Sequence, residues 1–323
     1  MPETKSRTIA ITGATGFAGR HVIAELLAQG HTIKALVRDP ARAKMPEAVV
    51  VVSGDLNSGV ALTRLLDGAN AVVHLAGILA AVRDHDYFRV NAHGTVALAE
   101  VAIRLGIKRF VHVSSLAARQ PQLSAYAASK RAGEDAIAKL ADKLNAIIIR
   151  PPAVYGPGDR GTLPLIKELT RRIALIPGRR DARFSLIHVG DLARLIVFSV
   201  SSDRGGLHEV SDGQTCGYGW SDLISVAETL RGASIKPVFL PYGVPTAVAI
   251  AAETLARLTG RPGMINRGKV RELYHRDWVC RAGALTAHDP IAFATGFPET
   301  VAWYRKAGWL PQDSSADRTG AIA

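Results

Sequence analysis

A glycine-rich loop near the start of the chain constrains its fold more than any other feature of the sequence. Residues 8–12 form a short apolar run, residues 17–29 have helical spacing, and the loop between them reads TGATGFAG. Glycine permits a tight turn, close approach of backbone N–H groups to phosphate and close packing of helix on strand, and the helix N-terminus adds unpaired donors. The segment therefore predicts a dinucleotide site. The residues expected to hold the dinucleotide here are Gly13, Thr15, Gly16, Phe17 and Gly19.

The first half of the chain alternates strand-like and helical segments. The four valines at residues 49–52 are typical of a strand that is buried on both faces. Further strands are predicted at residues 32–37, 71–75, 109–114 and 146–149, and helices at residues 88–105 and 126–144. Strands separated by helices form βαβ units. The sequence therefore predicts an α/β fold: a Rossmann-type doubly wound parallel sheet with a smaller C-terminal α/β substrate lobe.

Prolines and glycines crowd into residues 151–161 and mark a loop-rich boundary. Beyond it the alternation is less regular. A strand is predicted at residues 184–189, and helices at residues 191–200, 221–230 and 245–258. The predicted dinucleotide-binding domain comprises residues 1–155 and 184–205, the substrate lobe comprises residues 156–183 and 206–311, and a flexible tail covers residues 312–323.

A hydrophobic content of 48% and a charged content of 21% are typical of a globular protein and exclude a largely disordered chain. Two cysteines exclude a disulfide scaffold and paired-cysteine sites. The net charge of +12 attracts phosphates or anionic lipid, but aromatic residues make up only 6%, so nucleic acid is not an expected partner. Without a signal-peptide pattern or a membrane-spanning apolar run, we expect a cytoplasmic protein for which peripheral membrane contact stays open.

Tyr126 and Lys130 lie four residues apart at the start of a predicted helix, so they share one helix face. A tyrosine that accepts protons near neutral pH needs a pKa well below its usual value of about 10. A fixed lysine cation and a positively charged nicotinamide ring would together lower that pKa. The preceding strand ends in Ser114 and Ser115, which brings hydroxyl groups to the carboxyl edge of the sheet, where ligands bind. The set predicts proton transfer at a substrate oxygen.

The spacing of the glycine loop, together with these serine, tyrosine and lysine residues, resembles the extended branch of the short-chain dehydrogenase/reductase superfamily, which is NAD-dependent epimerase/dehydratase-like. The resemblance covers about residues 7–200. It implies that Tyr126 is the catalytic acid and base, that Lys130 lowers the Tyr126 pKa and holds the nicotinamide ribose, and that Ser115 orients the substrate oxygen.

The resemblance also implies cofactor contacts after successive strands. Asp55 would face the adenine, Ser114 would face the cofactor, and Asn91 matches the structural asparagine of the family. The cofactor-binding residues implied in this way are Asp55, Leu56, Leu75, Ala76, Gly77, Asn91, Ser114, Tyr126, Lys130, Pro151 and Val154. Family members often dimerise through two helices, which here correspond to residues 88–105 and 126–144, so a homodimer is an expectation by analogy.

The end of the second predicted strand bears on the choice of cofactor, because Arg38 and Asp39 follow one another there. An arginine at this place suits a 2′-phosphate, since its planar fork donates two parallel hydrogen bonds, whereas an acidic residue binds ribose hydroxyls. Because Arg38 comes first, the sequence favours NADP(H) and leaves NAD(H) open.

Two further features bear on ligands. His74 and His112 end neighbouring strands, but without a clustered carboxylate they are expected to be core histidines, and no metal site is predicted. Residues 160–183 carry seven basic residues against two acidic ones, which predicts either a substrate phosphate site or a solvated basic face. Phe184 stands where nucleotide-sugar enzymes of the family carry an arginine, which argues against a nucleotide-sugar substrate.

The main functional prediction is an NAD(P)-dependent oxidoreductase that transfers a hydride between nicotinamide and a carbonyl or secondary alcohol of a small-molecule substrate. Its catalytic residues would be Ser115, Tyr126 and Lys130. One alternative is a nucleotide-sugar epimerase or dehydratase that recycles bound NAD. An alternative of another class is a non-catalytic NAD(P)H-binding accessory subunit of a membrane complex, although such a subunit has no need of the Tyr126 and Lys130 pair.

Overall fold

The computed structural model describes residues 6–312. Strands and helices alternate through the first half of the chain. The strands are β1 (Thr8–Thr12), β2 (Thr32–Val37), β3 (Val49–Ser53), β4 (Ala71–His74), β5 (Arg109–Val113), β6 (Asn145–Arg150), β7 (Ala153–Tyr155), β8 (Ile173–Ile176), β9 (Arg183–Phe184), β10 (Leu186–His188), β11 (Gly206–Glu209), β12 (Tyr218–Gly219), β13 (Lys236–Phe239) and β14 (Asp277–Trp278). The helices are α1 (Phe17–Ala28), α2 (Gly59–Leu66), α3 (Asp84–Phe88), α4 (Gly94–Arg104), α5 (Ala125–Ala138), α6 (Leu163–Leu169), α7 (Val189–Ser201), α8 (Trp220–Arg231), α9 (Gly243–Thr259), α10 (Arg267–Leu273) and α11 (Phe293–Lys306).

A seven-stranded sheet in the order β3-β2-β1-β4-β5-β6-β11 organises the N-terminal half. All its strand pairs are parallel. One face packs on α1 and α7 through apolar residues such as Val22 and Ile196, and the other packs on α2, α4 and α5 through residues such as Leu62 and Leu98. The predicted doubly wound α/β sheet is confirmed. Its strand order reverses at β1 and β4, and ligands bind at the carboxyl ends of strands at such a switch point.

Strand β3 is one edge of this sheet, and its valines are less buried than the sequence predicts. Val50 and Val51 are 52% and 37% exposed. Successive side chains of a strand point to opposite faces, so neither face is fully covered here. The expectation of a strand buried on both faces is wrong, because an apolar run does not distinguish an edge strand from a central one.

The opposite edge, β11, comes from a segment that the sequence assigned to the substrate lobe. It pairs in parallel with β6, with His208 opposite Ile149. This strand completes the main sheet although it lacks the apolar run that marks the other strands. The division into a dinucleotide-binding domain and a substrate lobe stays a prediction.

The strand predicted at residues 184–189 is two strands in two different sheets. β9 pairs with β12 and β14, whereas β10 pairs with β7. Ser185 lies between them, and its hydroxyl accepts a hydrogen bond from the Cys280 N–H at 2.9 Å. The break falls at a single polar residue, which the apolar pattern on either side conceals.

The helix predicted at residues 88–105 contains a wider turn. α3 continues through a π-helical turn at Arg89–His93 into α4. This turn carries Asn91, whose carbonyl oxygen accepts a hydrogen bond from the Thr95 hydroxyl at 2.9 Å. Such turns are frequent at functional sites, and this one packs against α5. The helix predicted at residues 126–144 begins one residue earlier and ends at Ala138.

The C-terminal half has an apolar core of its own. Helices α6, α8 and α11 pack around aromatic residues such as Tyr155, Trp220 and Phe297. The helices predicted at residues 191–200, 221–230 and 245–258 correspond to α7, α8 and α9. Within residues 6–312, no helix is long and apolar enough to cross a bilayer. From residue 313 onward, the predicted tail lies outside the described residues.

Candidate active site

Tyr126 lies in the first turn of α5, beside the end of β5. The helix begins there because the Ser124 hydroxyl accepts a hydrogen bond from the Ala127 N–H at 2.9 Å and so caps the N-terminus. Tyr126 is hydrogen-bonded to Ser115, and Lys130 follows one turn later on the same helix face. The structure therefore brings together the three residues that were predicted to be catalytic.

Lys130 is only 4% exposed, and its ammonium donates a hydrogen bond to the Val113 carbonyl oxygen at 2.8 Å. Burial lowers its pKa to about 8, and the Glu134 carboxylate opposes that shift. The backbone of β5 therefore fixes the position of this ammonium group, whose charge is lost in mildly alkaline solution.

Burial is the main influence on the Tyr126 phenol, and it raises the pKa above the usual value. The hydrogen bond with Ser115 lowers the pKa, while the Glu272 carboxylate raises it. In the protein alone, desolvation outweighs the favourable contacts. The lowered pKa predicted from the sequence relies also on the positive nicotinamide ring, so it stays a prediction for the cofactor complex. Tyr126 is protonated near neutral pH, which is the form that donates a proton to a substrate oxygen.

A chain of buried charges lies behind Lys130. Glu134, one turn further along α5, binds Arg150 through two hydrogen bonds, and the one from Nε to Oε1 measures 2.9 Å. Arg150 lies 4.0 Å from Glu209, which in turn lies 3.6 Å from Arg119. Glu134 was not predicted from the sequence, although its spacing of four residues from Lys130 places it on the same helix face.

The glycine loop forms a cradle at the end of β1. Gly13 has a φ of +77°, and a methyl group at this position would lie 2.6 Å from the Ala76 nitrogen. A methyl group at Gly19 would collide with the Gly13 carbonyl oxygen. Gly16 caps α1, and no side chain among residues 6–312 accepts a hydrogen bond there, so the first N–H groups of the helix remain available. This cradle fits a dinucleotide pyrophosphate.

Two predicted cofactor residues border the cradle on its outer side. Thr15 is exposed in the loop, and the Phe17 ring packs edge-on against His21 with ring centres 5.6 Å apart. A His21 ring nitrogen is 2.9 Å from the Pro157 carbonyl oxygen. The start of α1 is thereby connected to the loop that follows β7.

Ser114 is buried at the end of β5, and its hydroxyl has no hydrogen-bond partner within residues 6–312. Such a group costs about 1–3 kcal/mol unless a ligand or water completes it. The Ser114 N–H binds the Ile149 carbonyl oxygen at 2.7 Å, and the Leu116 N–H binds that of Pro151 at 2.8 Å. These two backbone hydrogen bonds hold the unpartnered Ser114 hydroxyl at the carboxyl ends of β5 and β6. A cofactor that crosses these strand ends could form a hydrogen bond with it.

Asn91 binds protein groups on both sides. Its side-chain oxygen accepts the Ile78 N–H at 2.8 Å, and its N–H groups donate to the Ile78 carbonyl at 3.2 Å and to the Ser129 hydroxyl at 3.0 Å. It therefore ties the loop after β4, which holds the predicted cofactor residues 75–77, to the catalytic helix. This geometry supports a structural role, and direct contact of Asn91 with the cofactor stays a prediction.

The residues predicted to contact the far end of the cofactor follow β2 and β3. Arg38 is exposed and has no ion pair with another residue between 6 and 312, whereas Asp39 lies 3.4 Å from Arg42. Asp55 accepts the Asn57 N–H at 2.9 Å, and Leu56 is buried. On the opposite side, Val154 lies in β7. Because β2 and β3 are neighbours, the carboxyl ends of these two strands, with Arg38 and Asp55 after them, lie side by side.

Tyr87, Asn266 and Glu272 lie beside the start of the catalytic helix and were not predicted from the sequence. The Tyr87 ring lies 6.3 Å from the Tyr126 ring, and the Asn266 amide is 3.4 Å from the Tyr87 hydroxyl. The Ser124 hydroxyl is hydrogen-bonded to Glu272 on α10. The C-terminal half therefore covers the start of the catalytic helix. No local pattern connects Asn266 and Glu272 to Tyr126, because more than a hundred positions separate them.

Most basic residues at 160–183 are engaged within the protein. Arg171 binds Glu168, Arg179 binds Asp181 and Arg183 binds the Cys216 and Gly217 carbonyl oxygens. Arg160 and Arg180 stack on the rings of Trp309 and Phe239. Phe184 packs edge-on against Trp220 in the C-terminal core. These contacts favour the basic face over a phosphate clamp.

His74 and His112 are fully buried, and their rings stack with centres 5.3 Å apart. His74 is hydrogen-bonded to Thr12 and to Thr95. Burial lowers the His74 pKa to about 3 and also lowers that of His112, and in both cases the Lys130 charge adds to the effect. Both histidines are therefore neutral. Within residues 6–312, no group of three or more His, Cys, Asp or Glu side chains is arranged to hold a metal ion.

Comparison with known proteins places this arrangement in context. The profile of the NAD dependent epimerase/dehydratase family matches residues 9–210. A ceramide reductase from Caulobacter vibrioides is 43% identical over 310 residues, which is 94% of this chain and 96% of that protein. Sterol demethylase protein B from Methylococcus capsulatus is 25% identical and covers 94% of this chain and 100% of its own length.

The solved structures share the fold at low sequence identity. The complex of Thermus thermophilus UDP-glucose 4-epimerase with NAD superposes with a TM-score of 0.67 at 19% identity, and the match covers 93% of this chain and 99% of that one. A UDP-N-acetylglucosamine 4-epimerase from Methanobrevibacter ruminantium gives a TM-score of 0.73 at 17% identity, over 94% of this chain and all of the other.

Proposed function

Because the chain belongs to the NAD dependent epimerase/dehydratase family and is therefore an enzyme, we propose that it reduces a ketone on a long-chain amide lipid to a secondary alcohol. The observation that carries the proposal is the protonated Tyr126, which is hydrogen-bonded to Ser115 beside the buried Lys130. The similarity to a protein named ceramide reductase supports the lipid class of the substrate.

The reaction follows from the positions of these groups. Reduced nicotinamide, when bound, supplies a hydride to the carbonyl carbon. The Ser115 hydroxyl donates a hydrogen bond to the carbonyl oxygen, and Tyr126 gives its proton to the same oxygen as negative charge develops there. Lys130 offsets the charge of the tyrosinate that remains. The ketone gains one hydride and one proton, and the alcohol leaves.

Several residues would hold the cofactor. The N–H groups at the start of α1 suit the pyrophosphate, and the orphan Ser114 hydroxyl suits the nicotinamide end. We propose NADPH as the preferred reductant, because Arg38 is exposed and unpaired within residues 6–312 while Asp39 already pairs with Arg42. A guanidinium suits a 2′-phosphate through paired hydrogen bonds.

A substrate comparison tests the proposal. The purified enzyme is incubated with NADPH and, separately, an N-acyl 3-oxo sphingoid base, a short water-soluble ketone and UDP-glucose, and the products are identified by mass spectrometry. We expect the long-chain ketone to be reduced with stoichiometric oxidation of NADPH. Conversion of UDP-glucose to an epimer without net NADPH oxidation, with no reduction of the lipid ketone, would contradict the proposal and favour a recycled cofactor.

A further inference from the structure

Helix α9 has two apolar faces, and only one of them is covered. Pro245, Ala249 and Ala256 are buried, and α9 contacts α10. A neighbouring face, roughly a quarter turn further around the helix axis, carries an apolar stripe with spacings of four and three residues, which places its members along one side of the helix. This stripe, called the α9 stripe below, consists of Val244, Val248, Ala251, Leu255 and Leu258.

The exposure of the α9 stripe is unusual for a helix on the surface of a globular protein, which normally turns charged and polar residues outward. Leu255 is 60% exposed and Leu258 is 81% exposed. At a rise of 1.5 Å per residue, the stripe is roughly 20 Å long. Ile250 beside it and Met264 and Ile265 after the helix are also about half exposed, so the apolar surface is wider than one stripe.

The charge around the α9 stripe has one sign. Residues 243–271 contain five basic residues and a single acidic one, Glu253. Glu253 binds Arg267 at 2.9 Å, which neutralises it. Arg257 and Arg261 are exposed at the C-terminal end of α9. An apolar helix face bordered by arginines matches the surface of a bilayer that contains anionic phospholipid.

The apolar surface lies next to the candidate active site. Asn266 follows the exposed Ile265, and its amide is 3.4 Å from the Tyr87 hydroxyl. The Tyr87 ring lies 6.3 Å from the Tyr126 ring. The same Tyr87 hydroxyl is 3.5 Å from the carbonyl oxygen of Leu79, whose side chain is exposed. One side chain therefore separates the apolar surface from the reacting group.

We propose that the α9 stripe docks this protein on the surface of a bilayer containing anionic phospholipid, with α9 lying in the plane of the interface. The helix would insert its leucines among the acyl chains while Arg257 and Arg261 contact the phosphate groups. A lipid substrate would then reach Tyr126 past Tyr87 without passing through water. Docking itself does not depend on the proposed reaction.

A second copy of the chain is the competing occupant, because spacings of four and three residues also suit a helix pair. Two observations favour the bilayer. The apolar surface continues beyond the stripe to Ile250, Met264 and Ile265, which a single helix–helix contact would leave uncovered. Each copy also carries a net charge of +12, so two copies repel, whereas an anionic surface attracts each of them.

Vesicle sedimentation tests the proposal in the absence of substrate and cofactor. The wild-type protein is mixed with vesicles of phosphatidylcholine alone or of phosphatidylcholine with phosphatidylglycerol, and the bound fraction is measured. We expect binding to the anionic vesicles, a loss on the order of tenfold for Leu255→Ser/Leu258→Ser, and a loss of the preference for phosphatidylglycerol for Arg257→Gln/Arg261→Gln. Val60→Ser, which removes an exposed valine on α2, is the matched control and is expected to bind like wild type.

Two results would overturn the proposal. The first is wild-type protein that does not sediment with the anionic vesicles, or that binds both kinds of vesicle equally. The second comes from light scattering without vesicles: a wild-type dimer that becomes a monomer in Leu255→Ser/Leu258→Ser, with vesicle binding unchanged, would identify the α9 stripe as a contact between two copies. Tyr126→Phe separates the two proposals, because it is expected to bind vesicles normally even though it strongly slows the proposed reaction.

Discussion

The two sides of the candidate active site differ in what they bury. On the sheet side, charged groups are buried and paired: Lys130, Glu134, Arg150 and Glu209 are each less than a tenth exposed. On the side of α9, apolar groups such as Leu258 are exposed, and its ion pair between Glu253 and Arg267 lies at the surface. Buried pairs fix a geometry, whereas exposed apolar surface is available for contact with a partner. The difference fits the proposed division of labour, in which the sheet would position the reacting groups and the C-terminal half would contact the substrate.

Removal of one carboxylate from each side is expected to give the largest contrast. Glu134→Ala leaves the buried Arg150 without its main partner, so we expect the free energy of unfolding to fall by about 3 kcal/mol or more. Glu253→Ala removes a partly exposed pair, and the expected loss is below about 1 kcal/mol. Denaturant unfolding measures both. Equal losses would contradict the distinction between the two sides.

Glycine substitutions sharpen the same comparison. Gly13→Ala forces a side chain into a left-handed conformation and against the Ala76 backbone, so we expect nucleotide binding to be lost together with about 2 kcal/mol or more of stability. Gly260 ends α9 with a φ of +68° and open space around it, so Gly260→Ala is expected to cost about 1–2 kcal/mol and to leave nucleotide affinity unchanged. Thermal unfolding and titration with NADPH provide the two readouts. Normal NADPH affinity in Gly13→Ala would show that the cradle does not hold the cofactor.

The pH dependence of turnover reports on Lys130. Its pKa is about 8, so the ammonium that stabilises the tyrosinate is lost as pH rises through that value. We expect kcat/KM for ketone reduction to fall above about pH 8, up to tenfold for each further pH unit. Because Glu134 raises the Lys130 pKa, Glu134→Gln should move this decline to lower pH, whereas Glu253→Gln should leave it in place. An unchanged profile in Glu134→Gln would contradict this role of Glu134.

The linked effect on stability has the opposite sign. The folded-state pKa of Lys130 lies below its unfolded value of 10.5 because the charged ammonium is buried. Below about pH 8, where the folded protein holds this charge, its burial destabilises the folded state. Between about pH 8 and 10.5 only the unfolded chain retains the proton. The destabilising contribution of Lys130 is therefore relieved as pH rises through this window, and activity and this part of stability change in opposite directions.

The smallest expected effect concerns the exposed Arg38. Arg38→Ala should weaken NADPH binding by about tenfold, the range for one hydrogen-bonded charged group near the surface, and should leave NADH binding unchanged. Arg42→Ala is the matched control, because Arg42 pairs with Asp39 in the same loop. Equal affinities of wild-type protein for NADPH and NADH would contradict the preference inferred from Arg38.

The glycine loop and the Tyr126–Lys130 pair on the sheet side could be predicted from the sequence, because each depends on residues that are close together in the chain. Gly13, Gly16 and Gly19 meet steric demands within one loop, and the spacing of Tyr126 and Lys130 places both on one helix face. The raised pKa of Tyr126 was not predictable, because it depends on how completely the tertiary structure excludes water from the phenol.

The C-terminal half was harder to predict. Tyr87 and Glu272 reach the site from distant segments, and no spacing in the sequence connects them to Tyr126. Strand β11 was missed because its pairing with β6, rather than its own composition, makes it a strand. The apolar pattern of α9 indicates a helix but does not tell whether Leu255 and Leu258 face a core or the surface.

Turnover by Tyr126→Phe tests the central claim most directly. The variant keeps the ring and removes only the hydroxyl that is hydrogen-bonded to Ser115. With NADPH and a ketone that the wild-type enzyme reduces, we predict a loss of on the order of 100-fold to 10,000-fold in kcat, while NADPH affinity and thermal stability stay close to wild type. Tyr242→Phe, at an exposed tyrosine, is expected to be fully active. Wild-type turnover in Tyr126→Phe would contradict the account, because the proton would then have to come from another group.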